Sequence, residues 1–159
     1  MNDNKFNIIT VIGNPNTGKT TLIRNLYKFF CNQGALIRYY EAAGAHFEDF
    51  NAIVIWKEKV IALCSIGDYA DEEEETDDYF WPLTYVKNGI EIAKRFKAEI
   101  LINTRSLNNM TENDYKNFLQ KELGEKDYIP CNMESEIFQI ECIKQNQKNF
   151  DFIINEIMK

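Results

Sequence analysis

Residues 7–40, NIITVIGNPNTGKTTLIRNLYKFFCNQGALIRYY, decide the fold of this chain. Asn7 to Ile12 is a short β-branched run ending at Gly13, the pattern of a buried strand followed by a turn. From Lys19 to Asn32, Leu22, Leu26, Phe29 and Phe30 recur at helical spacing with Ile23 and Tyr27 beside them, and Gly34 supplies the stop. Ala35 to Tyr40 reads as a second strand. The crossover rule makes the two strands of such a unit parallel, so the expected fold class is α/β: a three-layer domain with a mostly parallel sheet and helices on both faces.

The rest of the chain extends this pattern. Asn51 to Trp56 and Lys59 to Ser65 are strand-like runs separated only by Lys57 and Glu58. That gap is too short for a helix, so the pair is expected as a hairpin with one strand antiparallel to the rest. Beyond Pro82, the residues Val86, Ile90, Ala93 and Phe96 mark an amphipathic helix, followed by a strand from Glu99 to Asn103. Thr111 and Asp114 open a further helix, carrying Tyr115, Phe118 and Leu119 and stopped by Gly124. Asp127 to Cys131 is a weak final strand, and Met133 to Met158 is helical in pattern, with the polar run Lys144 to Asn149 as a possible interruption. Neither a repeat nor a linker is visible, so residues 1–159 are expected as one domain.

Composition sets the outer limits. With 159 residues, 45% hydrophobic and 27% charged, the chain is globular in character and long enough for one substantial core. The longest unbroken apolar runs, Ala52 to Trp56 and Val60 to Cys64, fall far short of the roughly 18 residues of a membrane span. The opening residues MNDNKF lack the apolar middle of a secretory leader, so the expected location is cytoplasmic and away from membranes. The net charge of -7 is local: residues 68–78 (DYADEEEETDD) hold eight acids and no base, leaving seventeen acids against eighteen bases elsewhere. Without a basic stripe to meet phosphates along a duplex, nucleic acid is not an expected partner. Cys31, Cys64, Cys131 and Cys142 show no CxxC pairing and read as reduced, mostly buried thiols.

Between the first strand and the first helix stands Gly13-Asn14-Pro15-Asn16-Thr17-Gly18-Lys19-Thr20, which meets the pattern G-x-x-x-x-G-K-[ST] at every fixed position. Glycines at the two ends allow successive backbone N–H groups to curl inward around an anion, and the positive end of the following helix reinforces them. The string GNPNTGKTTL resembles the Walker A motif of the P-loop NTPase superfamily. That resemblance implies a nucleoside triphosphate, ATP or GTP, bound with Mg²⁺ among Gly13, Asn14, Asn16, Thr17, Gly18, Lys19, Thr20 and Thr21. It further implies that Lys19 reaches the β- and γ-phosphates and assists catalysis, and that the Thr20 hydroxyl meets the metal.

The remaining site residues are less sharply marked. P-loop enzymes place an acid near the end of a neighbouring strand, and here Cys64-Ser65-Ile66-Gly67-Asp68 follows the run from Val60. Asp68 is therefore a candidate for the metal and for catalysis, and Glu41, just beyond the second strand, is the competing acid. The guanine-reading pattern N-K-x-D is missing after the strand Glu99 to Asn103, and Glu41 to Phe50 contains no Ser or Thr to act as a switch hydroxyl, so ATP is expected over GTP. Arg105 lies at the carboxyl end of its strand, the side on which open α/β sheets bind ligands, and is a candidate for the base or a phosphate. The lone His46 is assigned no role, and the acidic segment 71–78 reads as a solvated loop with room to act as a lid. The leading expectation is slow, Mg²⁺-dependent ATP hydrolysis coupled to a protein partner. Its alternatives are phosphoryl transfer to a small molecule or nucleotide, with Glu41 or Asp68 as base, and a non-catalytic nucleotide-binding adaptor.

Overall fold

A computed structural model describes residues 7–13, 18–43, 49–65, 81–106, 111–124, 128–133 and 139–159. The expectations placed on Asn14, Asn16, Thr17, His46, Asp68 and the acidic segment 71–78 fall outside these residues. Within them the elements run β1 (Asn7–Gly13), α1 (Lys19–Asn32), β2 (Leu36–Ala43), β3 (Asp49–Trp56), β4 (Lys59–Cys64), α2 (Trp81–Arg95), β5 (Ile100–Ser106), α3 (Glu112–Leu123), β6 (Tyr128–Asn132) and α4 (Gln139–Met158).

The strands form one sheet in the order β2-β3-β4-β5-β1-β6. Pairing is parallel for β4 with β5, β5 with β1 and β1 with β6, whereas β3 is antiparallel to both β2 and β4. The single reversed strand follows from the short link: Lys57 and Glu58 turn the chain directly from β3 into β4, with φ of 49° and 65°. Both are left-handed conformations, as a two-residue hairpin loop with the right twist demands, although neither residue favours them.

Alternation along the strands divides the core into two layers. Ile9, Val11, Ile61, Leu63, Ile100 and Ile102 face Leu22, Leu26 and Phe30 of α1 together with Ile153 and Ile157 of α4. On the other face, Ile8, Ile12, Ala62 and Leu101 meet Val86, Ile90 and Ala93 of α2 and Tyr115 and Leu119 of α3. The chain is thus a three-layer α/β domain with a mixed, mostly parallel six-stranded sheet and four helices. The helix α2 approaches β4 through Gly89, where an added Cβ would stand 3.0 Å from the Cys64 sulfur. Among the described residues, no helix is long and apolar enough to cross a membrane. Cys31, Cys64 and Cys131 are free thiols, and burial pushes those of Cys64 and Cys131 up to about 12.

Some element boundaries differ from the sequence expectation. Arg105 and Ser106 are part of β5, because β1 continues to pair as far as Gly13 and carries the neighbouring strand with it. The polar run Lys144 to Asn149 does not break α4. Asn149 is buried and donates to the Asn132 carbonyl (3.2 Å), to which Gln145 also donates (3.2 Å), so these amides tie the helix to the end of β6.

Replacing Lys57-Glu58 by Asn-Gly relieves two unfavourable φ angles and raises stability by about 1–2 kcal/mol, measured by urea denaturation. Gly89→Ala lowers stability by about 1–3 kcal/mol through overpacking. Combining it with Cys64→Ala recovers part of that loss, a non-additivity that thermal melts of the four proteins resolve.

Candidate functional site

The routes of the connections determine where this sheet opens. From β1 the chain leaves over the α1/α4 face toward β2, and from β5 it leaves over the α2/α3 face toward β6. The adjacent strands β1 and β5 therefore send their connections to opposite faces, the arrangement that in open α/β sheets places a ligand crevice outside the carboxyl ends of the two strands. Gly13, at the end of β1, pairs in register with Ser106, and Ile12 pairs with Arg105. The described ends of the Gly13 to Thr20 segment flank this crevice.

Gly18 stands at the N-cap of α1 with φ +92°, in the region open to glycine and closed to most side chains. It offers no side chain to cap the helix, and the first turn of α1 contains no acid. The opening amides of any α-helix lack intrahelical acceptors, so the Lys19 end of α1 presents donors and a positive partial charge. By contrast, α3 is closed by Thr111, which accepts from the Asp114 N–H, and its first turn carries Glu112 and Asp114. The Lys19 side chain is 2% exposed, and its Nζ donates to the Gly13 carbonyl at 3.1 Å. That bond turns the ammonium back toward the end of β1. Thr20 and Thr21 occupy the same first turn, Thr20 half-buried and Thr21 exposed.

A polar chain runs from α1 across three strands at this edge of the sheet. Thr20 Oγ1 donates to Asp49 Oδ1 (3.1 Å), and Ser65 Oγ donates to the same oxygen (3.0 Å). Thr104 Oγ1 then donates to the Ser65 carbonyl (3.1 Å). Asp49 reaches this edge only because β3 is reversed: its first residue lies where the other strands end. The sequence reading missed Asp49, since the order of residues gives no sign that the start of β3 meets the start of α1. The hairpin itself was the available signal, because reversing one strand sends its opening residue to the carboxyl edge of the rest.

On the opposite face a buried hydroxyl-amide cluster supports the crevice. Thr10 Oγ1 lies 2.8 Å from Asn103 Oδ1 and 2.9 Å from the Tyr115 hydroxyl, to which Asn103 Nδ2 donates at 2.9 Å. Tyr115 is fully buried, and that burial pushes its phenol up to about 12, against the opposing pull of the bonds to Thr10 and Asn103. The Arg105 guanidinium lies over the Tyr115 ring, 5.6 Å from its centroid, so Arg105 is a buried residue of the α2/α3 layer next to the crevice. Tyr128, edge-on to Tyr115, donates to Glu112 and holds that carboxyl below its ordinary range.

Glu41 is placed differently. It is exposed on the outer strand β2, accepts from the Tyr39 hydroxyl (2.8 Å), and lies four strands from β1, about 19 Å at the usual spacing. The structure thus places Gly13, Gly18, Lys19 and Thr20 at the end of β1 and the start of α1, sets Arg105 beside Ile12 on the α2/α3 face of the sheet, and leaves Glu41 at the far edge. No group of three or more His, Cys, Asp or Glu side chains suited to a metal occurs among the described residues. Comparison with protein-family models, curated proteins and solved structures found no match for the chain.

Tyr115→Phe removes a hydroxyl that serves both Thr10 and Asn103 and lowers stability by about 1–3 kcal/mol at neutral pH. The alkaline limb distinguishes its titration. A phenol whose pKa is raised on folding stabilises fully below the unfolded value near 10, and that contribution is lost as pH climbs toward the folded value of about 12. Stability of the native sequence should therefore fall more steeply above pH 10 than that of Tyr115→Phe, as followed by urea denaturation.

Proposed function

We propose that this chain binds ATP with Mg²⁺ at the turn Gly13 to Thr20 and hydrolyses it slowly, under the control of a protein partner. The observation that carries the reading is positional: a complete G-x-x-x-x-G-K-T string stands in the sequence between β1 and α1, and β1 lies at the point where the connections of the sheet part. A strand, a glycine-bounded turn and a helix in that order form the setting in which this pattern has physical meaning. On this reading the fold is that of a P-loop NTPase.

The residues have separable tasks. Backbone N–H groups of the turn and of the first turn of α1 hold the phosphate chain. Lys19, buried and resting on the Gly13 carbonyl, exchanges that contact for phosphate oxygens and offsets the charge that gathers as the terminal phosphoryl group leaves. A hydroxyl such as that of Thr20 suits Mg²⁺, a hard cation that prefers oxygen donors. Bound there, Mg²⁺ supplies charge neutralisation between the terminal phosphates. Arg105, stacked over Tyr115 near the end of β5, is assigned to the nucleotide.

Hydrolysis is favoured over phosphoryl transfer by the dispersal of the groups that an acceptor site needs. Glu41 is at the outer edge of the sheet, and the four arginines are spread over α1 (Arg24), β2 (Arg38), the end of α2 (Arg95) and β5 (Arg105).

Isothermal titration with a non-hydrolysable ATP analogue and Mg²⁺ is expected to show saturable uptake, tighter than for the GTP analogue. Lys19→Ala weakens it by about a hundredfold, equivalent to about 2.7 kcal/mol. Heat of binding that is indifferent to Lys19, or no uptake of either nucleotide, would contradict the assignment.

A further inference from the structure

We propose that Asp49, carried on the antiparallel strand β3, is the carboxylate that holds Mg²⁺ beside Thr20; this assignment rests on the nucleotide-binding reading above. The resemblance directs attention to β4 and the residues after it. The last residue of β4 is Cys64, whose sulfur faces Gly89 of α2 on the other side of the sheet. Buried and protonated, with a pKa pushed up to about 12, that thiol is a poor donor for a hard cation.

Asp49 occupies the vacated role from the neighbouring strand. It is 7% exposed, and its Oδ1 accepts from both Thr20 Oγ1 (3.1 Å) and Ser65 Oγ (3.0 Å). Because its O–H donates to Asp49, the Thr20 oxygen presents lone pairs on its other side, the form in which a hydroxyl serves a cation. Ser65 fixes the carboxylate in turn. Its oxygen accepts from the Phe50 N–H (2.9 Å), and of the two acceptors within reach of its one proton Asp49 Oδ1 (3.0 Å) is nearer than the Phe50 carbonyl (3.4 Å). The donor set is therefore all oxygen, anionic at one member, and oriented by an outer hydrogen bond, which suits Mg²⁺. An asparagine at this position keeps an oxygen that accepts the same two hydrogen bonds but carries no negative charge.

That difference sets the experiment. Affinity for a non-hydrolysable ATP analogue is measured by isothermal titration in Mg²⁺ and in EDTA for the native chain, Asp49→Asn and Asp68→Asn. The native chain is expected to bind at least about tenfold more tightly with Mg²⁺. Asp49→Asn should bind equally in the two conditions, within about twofold, with its EDTA affinity no weaker than native because the bonds from Thr20 and Ser65 persist. Asp68→Asn should match the native chain. Should Asp49→Asn not fold, Ser65→Ala, which removes one of the bonds orienting the carboxylate, should reduce the Mg²⁺ advantage several-fold. The assignment is overturned if Asp49→Asn or its substitute keeps the full advantage, if Asp68→Asn loses it, or if the native chain shows none while still binding nucleotide. A native chain that binds no nucleotide in either condition overturns the nucleotide-binding reading itself, and the assignment with it.

Discussion

A strand that is apolar on both sides has to be covered on both sides. β1 carries Ile9 and Val11 toward one layer and Ile8 and Ile12 toward the other, and all four are nearly inaccessible to water. At about 25 cal/mol for each Å² of apolar surface removed from water, leaving either face bare would forgo several kcal/mol from this strand alone. The connections are therefore obliged to divide, α1 passing over one face and α2 and α3 over the other. The point where the two routes part falls between β1 and β5, so the position of the crevice there is a by-product of two-sided burial.

The edge around that crevice is tied together by polar groups placed where the strands end. On the α1 side, hydrogen bonds link Thr20, Asp49, Ser65 and Thr104 across a helix and three strands. On the α2/α3 side, Thr10, Asn103 and Tyr115 bond among themselves beneath Arg105. A buried polar group left unmet costs on the order of 1–3 kcal/mol, so each cluster also fixes the relative position of the elements that supply it. The result is a rim hydrogen-bonded on both faces of the sheet, next to which Gly18 and Lys19 open α1.

Local chemistry made much of the fold legible. The spacing of Leu22, Leu26 and Phe30 identifies α1 because one helical face had to be buried, and Thr111 marks the start of α3 because its hydroxyl caps the Asp114 N–H. The hairpin was readable from chain length alone, two residues being insufficient for anything else, although Lys57 and Glu58 are poor turn formers. Less legible were features set by a distant partner. The strand expected to end at Asn103 continues through Arg105 to Ser106 because β1 pairs with it that far, and Lys144 to Asn149 reads as a break because the carbonyl of Asn132 that occupies its amides is remote in sequence.

The same division applies to the candidate site. The sequence alone determined the strand that ends at Gly13 and the helix that opens with Lys19 and Thr20 behind Gly18, because φ preferences and hydrophobic periodicity act over a few residues. Only the tertiary structure decided which side chains stand around that turn. It carried Glu41 to the outer edge of the sheet and brought Asp49 to Thr20, since strand order and direction are fixed by which apolar faces cover one another, and no stretch of a few residues contains that information.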